Sequence, residues 1–301
     1  MEEAPAIRSR RGRIAPPLLL VAGCNAAFGL QETRTVDAQT DRDGDGIADL
    51  DDNCRDVANA LQLDSDHDGA GDECDVCPVV ANPLDAADTD GDSIADMCDP
   101  RPLAAGDCMI LLDRFADPAA FSANWTIYGN ASAVHAATGE VTLAPGMGEG
   151  VAVIARDDAG APITGTLHVQ AIGHFTPALG VAGIISHASN LTDSYRCSIE
   201  GTPMSATYVY ATVNTATSHA GNAGFLSSDP IGDELSLRLV EDATTFRCRA
   251  DWGIATGSTF AAFATVLPAD GAGVYAQTAS WRVNAVALYR SDTPCPTPII
   301  R

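Results

Sequence analysis

Fifteen aspartates between residues 41 and 99 keep one register. Asp41, Asp43, Asp45, Asp49 and Asp52 stand at positions 1, 3, 5, 9 and 12 of a loop. Asp64, Asp66, Asp68, Asp72 and Asp75 repeat that spacing, and Asp88, Asp90, Asp92, Asp96 and Asp99 repeat it again. Carboxylates at alternate positions of a tight loop converge on one hard cation, and calcium takes about six to eight oxygen ligands. Position 7 contributes only its carbonyl, so Ile47, Ala70 and Ile94 join the acids at positions 9 and 12 in each expected ligand set. Position 6 turns sharply, which favours glycine. Gly46 and Gly69 fill it, whereas Ser93 does so in the third loop, predicting a weaker or differently shaped site there. His67 falls at position 4, outside this scheme. Zinc is excluded, since paired CxxC groups with histidines are absent.

Helix–loop–helix units do not fit around these loops, because the short spacers between them carry cysteine and proline. Residues 37–99 hold half of the chain's 40 acidic side chains, and no aromatic residue lies between Phe28 and Phe115. Such a composition cannot offset its chain entropy by apolar burial. The expectation is that cations take the place of a core and that the segment forms a stalk.

The motifs "DDNC" (51–54), "GDECDVCP" (71–78) and "DMCDP" (96–100), with "VAN" recurring at 57–59 and 80–82, resemble thrombospondin type 3 repeats over residues 41–100. The resemblance implies calcium-wrapped repeats of little regular secondary structure, with disulfides in sequential order: Cys54 to Cys74 and Cys77 to Cys98. Of the nine cysteines, Cys24 stands apart ahead of the repeats and four belong to them, which leaves Cys108, Cys197, Cys248 and Cys295. Cys197 and Cys248 sit in similar strand-like contexts and are paired here as a bridge between neighbouring strands. Cys108 and Cys295 would then tie together the ends of the following domain. Four cysteines allow other connectivities, which the sequence leaves open.

Arg8, Arg10, Arg11 and Arg13 precede the apolar run Ile14–Ala22. This is a basic region followed by a hydrophobic segment too short to span a bilayer. With Val21-Ala22-Gly23-Cys24 it resembles a bacterial lipoprotein signal. The resemblance implies cleavage of residues 1–23 and a membrane anchor on lipidated Cys24. By the sorting rule of such lipoproteins, Asn25 implies an exported, outer-membrane or cell-surface location. A linker, 24–40, then leads into the repeats.

From residue 107 to 292 the pattern is alternating strands separated by Gly, Asn, Asp and Pro: 166–175, 208–213, 234–240, 245–252 and 280–289. A helical turn is expected at 117–123 and a tail at 293–301. The fold class is all-β, an antiparallel β-sandwich preceded by irregular calcium-binding repeats. The segments 113–143, 180–200 and 270–289 resemble the opening, central and closing strands of laminin-G or concanavalin-A-like jelly-roll domains. Tyr195, Tyr208, Tyr210, Trp252 and Trp281 are candidates for an aromatic sugar platform, although aromatics on alternating strands are more often core.

Catalysis is not expected. Glu140, Glu149, Glu200, Glu234 and Glu241 are isolated in sequence, Asp157–Asp158 reads as a turn, and no nucleophile motif stands out. His168 and His174 share a strand face without further ligands. The net charge of −23 excludes a nucleic-acid partner. The reading is therefore a calcium-binding recognition or adhesion protein, with a glycan or surface protein as partner. The alternative is a hydrolase of envelope or extracellular polysaccharide.

Overall fold

The computed structural model describes residues 40–83, 86–175, 180–188, 192–202, 205–215, 218–227, 234–242, 244–252, 255–262, 267, 271–291 and 295–301. The leader, Cys24 and all but the last residue of the linker lie outside them.

Two sheets form the body, with strands numbered in chain order. In the first, the order is β13 (Ala255–Ala262), β12 (Thr245–Trp252), β11 (Glu234–Glu241), β6 (His168–Phe175), β15 (Trp281–Ser291), β1 (Asp107–Asp113) and β16 (Ile299–Ile300). A hairpin of β3 (Val134–Ala137) and β4 (Glu140–Leu143) also pairs with β15. In the second, the order is β10 (Ser218–Ser227), β9 (Ser205–Thr215), β8 (Ser194–Thr202), β7 (Gly180–Ala188), β14 (Gly271–Gln277), β5 (Gly150–Ala155) and β2 (Trp125–Gly129). Strand neighbours are antiparallel apart from β1 and β16. The architecture is the all-β sandwich read from the alternation.

Side chains alternate across a strand, and β12 shows how that builds the core. Phe246, Cys248, Ala250 and Trp252 are buried, while Arg247 and Arg249 face out. Between the sheets, Trp252 meets Phe175 edge-on at 5.9 Å, and Tyr195 stacks on Phe246 at 5.3 Å. Near the start, Phe115, Phe121 and Trp125 pack together around the one-turn helix α1 (Phe121–Asn124). The Trp125 Nε1–H donates to buried Asp113 at 2.8 Å.

Cys197 and Cys248 are bridged, but not between neighbouring strands: β8 and β12 belong to opposite sheets, and the bridge crosses the core with a Cα–Cα distance of 5.0 Å. Their similar contexts reflect a shared inward-facing position rather than adjacency. Cys108 is joined to Cys295, and the repeats carry Cys54–Cys74 and Cys77–Cys98. Residues 295–301 are not a free tail. Beyond the Cys295 bridge, β16 lies parallel to β1, the Arg301 N–H donates to Leu112 O, and Arg114 N–H donates to Arg301 O. Three prolines in 294–298 mask this short strand in the sequence.

The repeats are not a stalk held clear of the sandwich. Cys77, Val79, Val80, Ile94, Ala95 and Cys98 pack on Leu112, Ile172, Ala285, Ala287 and Tyr289, covering part of the outer face of the first sheet. Polar contacts surround this second apolar cluster. Arg114 pairs with Glu73 and lies 3.8 Å from Asp72, Gln170 donates to Cys98 O, and Arg238 donates to Met97 O. The repeats have too few apolar side chains for a core of their own, but those few share one with the first sheet. Each fully buried Val or Ile contributes about 1.5–3 kcal/mol, which is modest against the entropy of ordering sixty residues.

Candidate calcium loops

The three loops share one hydrogen-bond pattern. The position-1 carboxylate accepts from the position-6 N–H: Gly46 to Asp41 at 3.1 Å, Gly69 to Asp64 at 3.0 Å and Ser93 to Asp88 at 3.0 Å. Position 3 accepts from the position-5 N–H in each loop, at 3.2–3.3 Å. Position 5 accepts from the position-7 N–H of Ile47, Ala70 and Ile94. At position 1 both oxygens accept backbone N–H bonds, whereas at position 3 one oxygen is turned toward the backbone and the other is left over. Carboxylate oxygens of Asp41, Asp43 and Asp45, of Asp64, Asp66 and Asp68, and of Asp88, Asp90 and Asp92 come within 4.8 Å of one another in each loop.

Backbone conformation supports the convergence. Gly46, Gly69 and Ser93 all have positive φ, at 97°, 96° and 77°. Ser93 therefore keeps the turn and bears its strain, since a side chain disfavours that region. Position 4 is left-handed as well, at Gly44, His67 and Gly91. The His67 ring is exposed, with Nδ1 3.6 Å from Glu234.

Positions 9 and 12 have different roles. Asp49, Asp72 and Asp96 accept from the position-2 N–H of Arg42, Ser65 and Thr89 at 2.9, 2.8 and 2.7 Å, and the hydroxyls of Ser65 and Thr89 donate to them as well. The N–H of each position-9 residue returns to the carbonyl just before the loop, on Thr40, Leu63 and Ala87. Position 9 thus clasps the loop shut. At position 12, Asp52, Asp75 and Asp99 each accept from the N–H two residues on, at 2.8, 2.9 and 2.7 Å.

The fit to a cation rests on oxygens with no partner. One buried Oδ2 at position 3 of every loop (Asp43, Asp66 and Asp90) lacks a hydrogen bond, as do Oδ2 of Asp75 and Asp99 at position 12. A buried carboxylate oxygen is costly unless a proton or a cation satisfies it. Burial pushes Asp66 up to about 8, with Asp68, Asp75 and Asp64 adding repulsion, and it pushes Asp75 up to about 6. Asp99 is pushed up to about 7, again mainly by burial. These unpartnered oxygens, one in the first loop and two in each of the others, are hard donors of the kind calcium takes, and among the described residues no thiolate or imidazole joins the clusters.

The recurring "VAN" has a structural cause. The second oxygen of position 5 accepts from the residue 14 further on: Asn59 to Asp45 at 2.8 Å, Asn82 to Asp68 at 2.8 Å and Gly106 to Asp92 at 3.1 Å. Each loop is thereby tied to the next. After the third loop the next element is β1, and Asp107 also donates its N–H to Asp92, at 2.9 Å. Asp92, Asp99 and fully buried Asp107 form a further cluster within 4.8 Å. Despite its burial, Asp107 is held below the usual carboxylate range by hydrogen bonds from Arg101 and Ser291. Sequence reading missed Asp107; the 14-residue offset from Asp45 to Asn59 and from Asp68 to Asn82 leads from Asp92 only to its neighbour Gly106.

On the sandwich, Tyr195, Trp252 and Trp281 are core residues, buried between the sheets. Tyr208 and Tyr210 face outward together on β9, ring centroids 6.4 Å apart. Beside them on the outer face of the second sheet lie Arg196, Ser198, Glu200 and Gln277, with Arg196 4.8 Å above the Tyr275 ring. His168 is buried and its Nδ1 accepts from the Glu241 N–H at 3.0 Å. Glu241 also pairs with His187 at 2.8 Å and accepts from Ser186. Glu149 accepts from Asn130, and Glu140 lies 3.8 Å from Arg282.

The thrombospondin type 3 repeat family model matches twice, over residues 37–62 and 60–85. The third loop lies beyond the match but repeats the bonding of the first two. Among solved structures, the GH43 BlXynB protein from Bacillus licheniformis aligns at TM-score 0.44 and 13% identity, covering 60% of this chain and 39% of that one. A legume lectin-like domain from Entamoeba histolytica aligns at TM-score 0.42 and 13% identity, covering 60% and 97%. β-Agarase A from Zobellia galactanivorans aligns at 0.44 and 8% identity, covering 64% and 94%. No curated protein matches the sequence. The chain thus combines thrombospondin type 3 repeats with a two-sheet antiparallel sandwich. Four disulfides fit an exported protein, and among the described residues no helix is long and apolar enough to cross a membrane.

Proposed function

We propose that this is an exported, calcium-structured recognition protein that binds glycan on the outer face of its second sheet. Calcium would be held by positions 1, 3, 5 and 12 of each loop with the carbonyls of Ile47, Ala70 and Ile94, while Asp49, Asp72 and Asp96 brace the loops. Asp107 would extend the last site into the sandwich. A lipid on Cys24 would tether the protein to the outer membrane or cell surface.

The observation that carries the glycan assignment is the contrast between the two outer faces. The repeats cover part of the first. The second presents Tyr208 and Tyr210 beside Arg196 and Glu200. Aromatic faces flanked by hydrogen-bonding groups suit sugar rings. The test is a glycan array probed with the calcium-loaded protein and with Tyr210→Ala. Retention that Tyr210→Ala reduces about tenfold supports the proposal, on the scale of a lost hot-spot aromatic. Retention of no glycan, or binding unaffected by the substitution, refutes it. Release of new reducing ends from a bound glycan would assign the hydrolase instead.

A further inference from the structure

On the opposite side of the sandwich, a groove of about 700 Å3 lies between the end of the third repeat and strands β11 to β13. One wall is Asp96, Asp99, Pro100 and Pro102. The other carries Arg238, Arg247 and Arg249, with Phe260 at the rim. We propose that this groove binds an acidic saccharide, a sugar bearing carboxylate or sulfate, and that calcium in the third loop holds the groove open to it. The inference takes the class of ligand from the proposed function but places it at a separate site.

The strand register concentrates positive charge here. Arg238 on β11 stands directly opposite Arg249 on β12, and Arg247 stands opposite Phe260 on β13. Like charges facing each other across a ladder destabilise it. This chain has no lysine and carries a net charge of −23, so three neighbouring arginines contrast with most of its surface. Asp251 offsets two of them, pairing with Arg238 at 2.8 Å and with Arg249 at 3.1 Å. Arg247 remains. It is exposed, and the hydrogen bond it makes among the described residues is a long one, 3.5 Å, to Pro100 O. Its guanidinium retains donors for a planar anion, which Arg recognises through two parallel hydrogen bonds.

Phe260 supplies the second half of the recognition. It is 58% exposed and pairs across the strands with Arg247. An aromatic face next to an unneutralised guanidinium matches the two sides of an acidic sugar: an apolar ring face and a charged substituent. Ser258, Thr259 and Thr245 add hydroxyls along the floor. A neutral glycan would leave the Arg247 charge unanswered.

Calcium bears on the opposite wall. Asp96 clasps the third loop through Thr89, and Asp99 is its position-12 acid, so two residues of this wall are also residues of the loop, and a cation there would brace it. A cation on Asp99 also cancels the negative charge that would otherwise repel an anionic ligand from this wall.

The purified protein is titrated by calorimetry with chondroitin sulfate and hyaluronan oligosaccharides and with neutral chitotetraose, each in calcium and in EDTA. Binding of either acidic probe in calcium is expected, weakened about tenfold or more by Arg247→Ala and by Phe260→Ala and lost in EDTA. Arg282→Ala removes the same charge from a distant place on the first sheet and is expected to leave binding unchanged. Preference between the two acidic probes separates sulfate from carboxylate recognition. The proposal is overturned if neither acidic probe binds, if Arg247→Glu binds undiminished, or if Arg282→Ala costs as much as Arg247→Ala. It is equally overturned if sedimentation shows Arg247-dependent self-association, which would give the groove to an acidic segment of a second copy. Chitotetraose binding sensitive to Tyr210→Ala, with no acidic binding, would sink this inference and leave the proposed function standing.

Discussion

Calcium added to the metal-free protein at neutral pH displaces protons. In the folded loops Asp66 is pushed up to about 8, Asp99 to about 7 and Asp75 to about 6, in each case chiefly by burial. All three exceed the unfolded aspartate value, so the metal-free fold binds more protons than the unfolded chain. Its stability is therefore greatest at pH values below the unfolded pKa, and it falls as pH rises through roughly 6 to 8. Calcium reverses this, because it binds the ionised acids, and its affinity rises with pH through the same window. At pH 7 these three groups together hold on the order of one proton per chain, and at pH 9 almost none, and calcium must release what they hold. The assay is isothermal titration of calcium in two buffers of different ionisation enthalpy, PIPES and Tris. Apparent heats should differ in proportion to that release at pH 7 and converge by pH 9. Equal heats in the two buffers at pH 7 would refute the reasoning, since they would mean that the unpartnered oxygens are already ionised without the ion.

Asp90→Asn removes charge from a position-3 acid and lowers calcium stoichiometry or affinity at the third loop, whereas Asp96→Asn weakens a clasp and lowers the melting temperature slightly with calcium still bound; calorimetry and thermal melts separate the two. Ser93→Gly relieves a left-handed serine and raises affinity at that loop about fivefold, equivalent to about 1 kcal/mol, as read by competition with a calcium chelator. Removing residues 41–100 uncovers Ile172, Ala285, Ala287 and Tyr289, so the 107–301 fragment should bind a hydrophobic dye and self-associate where the whole protein does not. Cys24→Ser abolishes incorporation of labelled palmitate in a bacterial host if the anchor is as proposed.

The period of the aspartates and the alternation of the strands were legible because both are local. A loop that gathers carboxylates needs only their spacing and a left-handed turn, and Gly46 and Gly69 mark that turn. Strands with one face in the core declare themselves by period two, as Phe246, Cys248, Ala250 and Trp252 do in β12. The clasp made by position 9 was not legible in the sequence for a local reason too: an aspartate can satisfy a backbone N–H as readily as a cation, and spacing does not distinguish the two uses.

What only the tertiary structure decided concerns contacts between elements remote in the chain. The sequence alone established a calcium-type repeat, an antiparallel sandwich and an export-type cysteine usage. It did not place Cys197 opposite Cys248 across the core, because inward-facing cysteines look the same whichever sheet they belong to. Nor did it bring Val79, Val80 and Ile94 down onto Tyr289, Asp107 beside Asp99, or Arg247 across from Pro100. Those meetings depend on how two modules dock, and docking is governed by surface shape and burial that no residue spacing encodes.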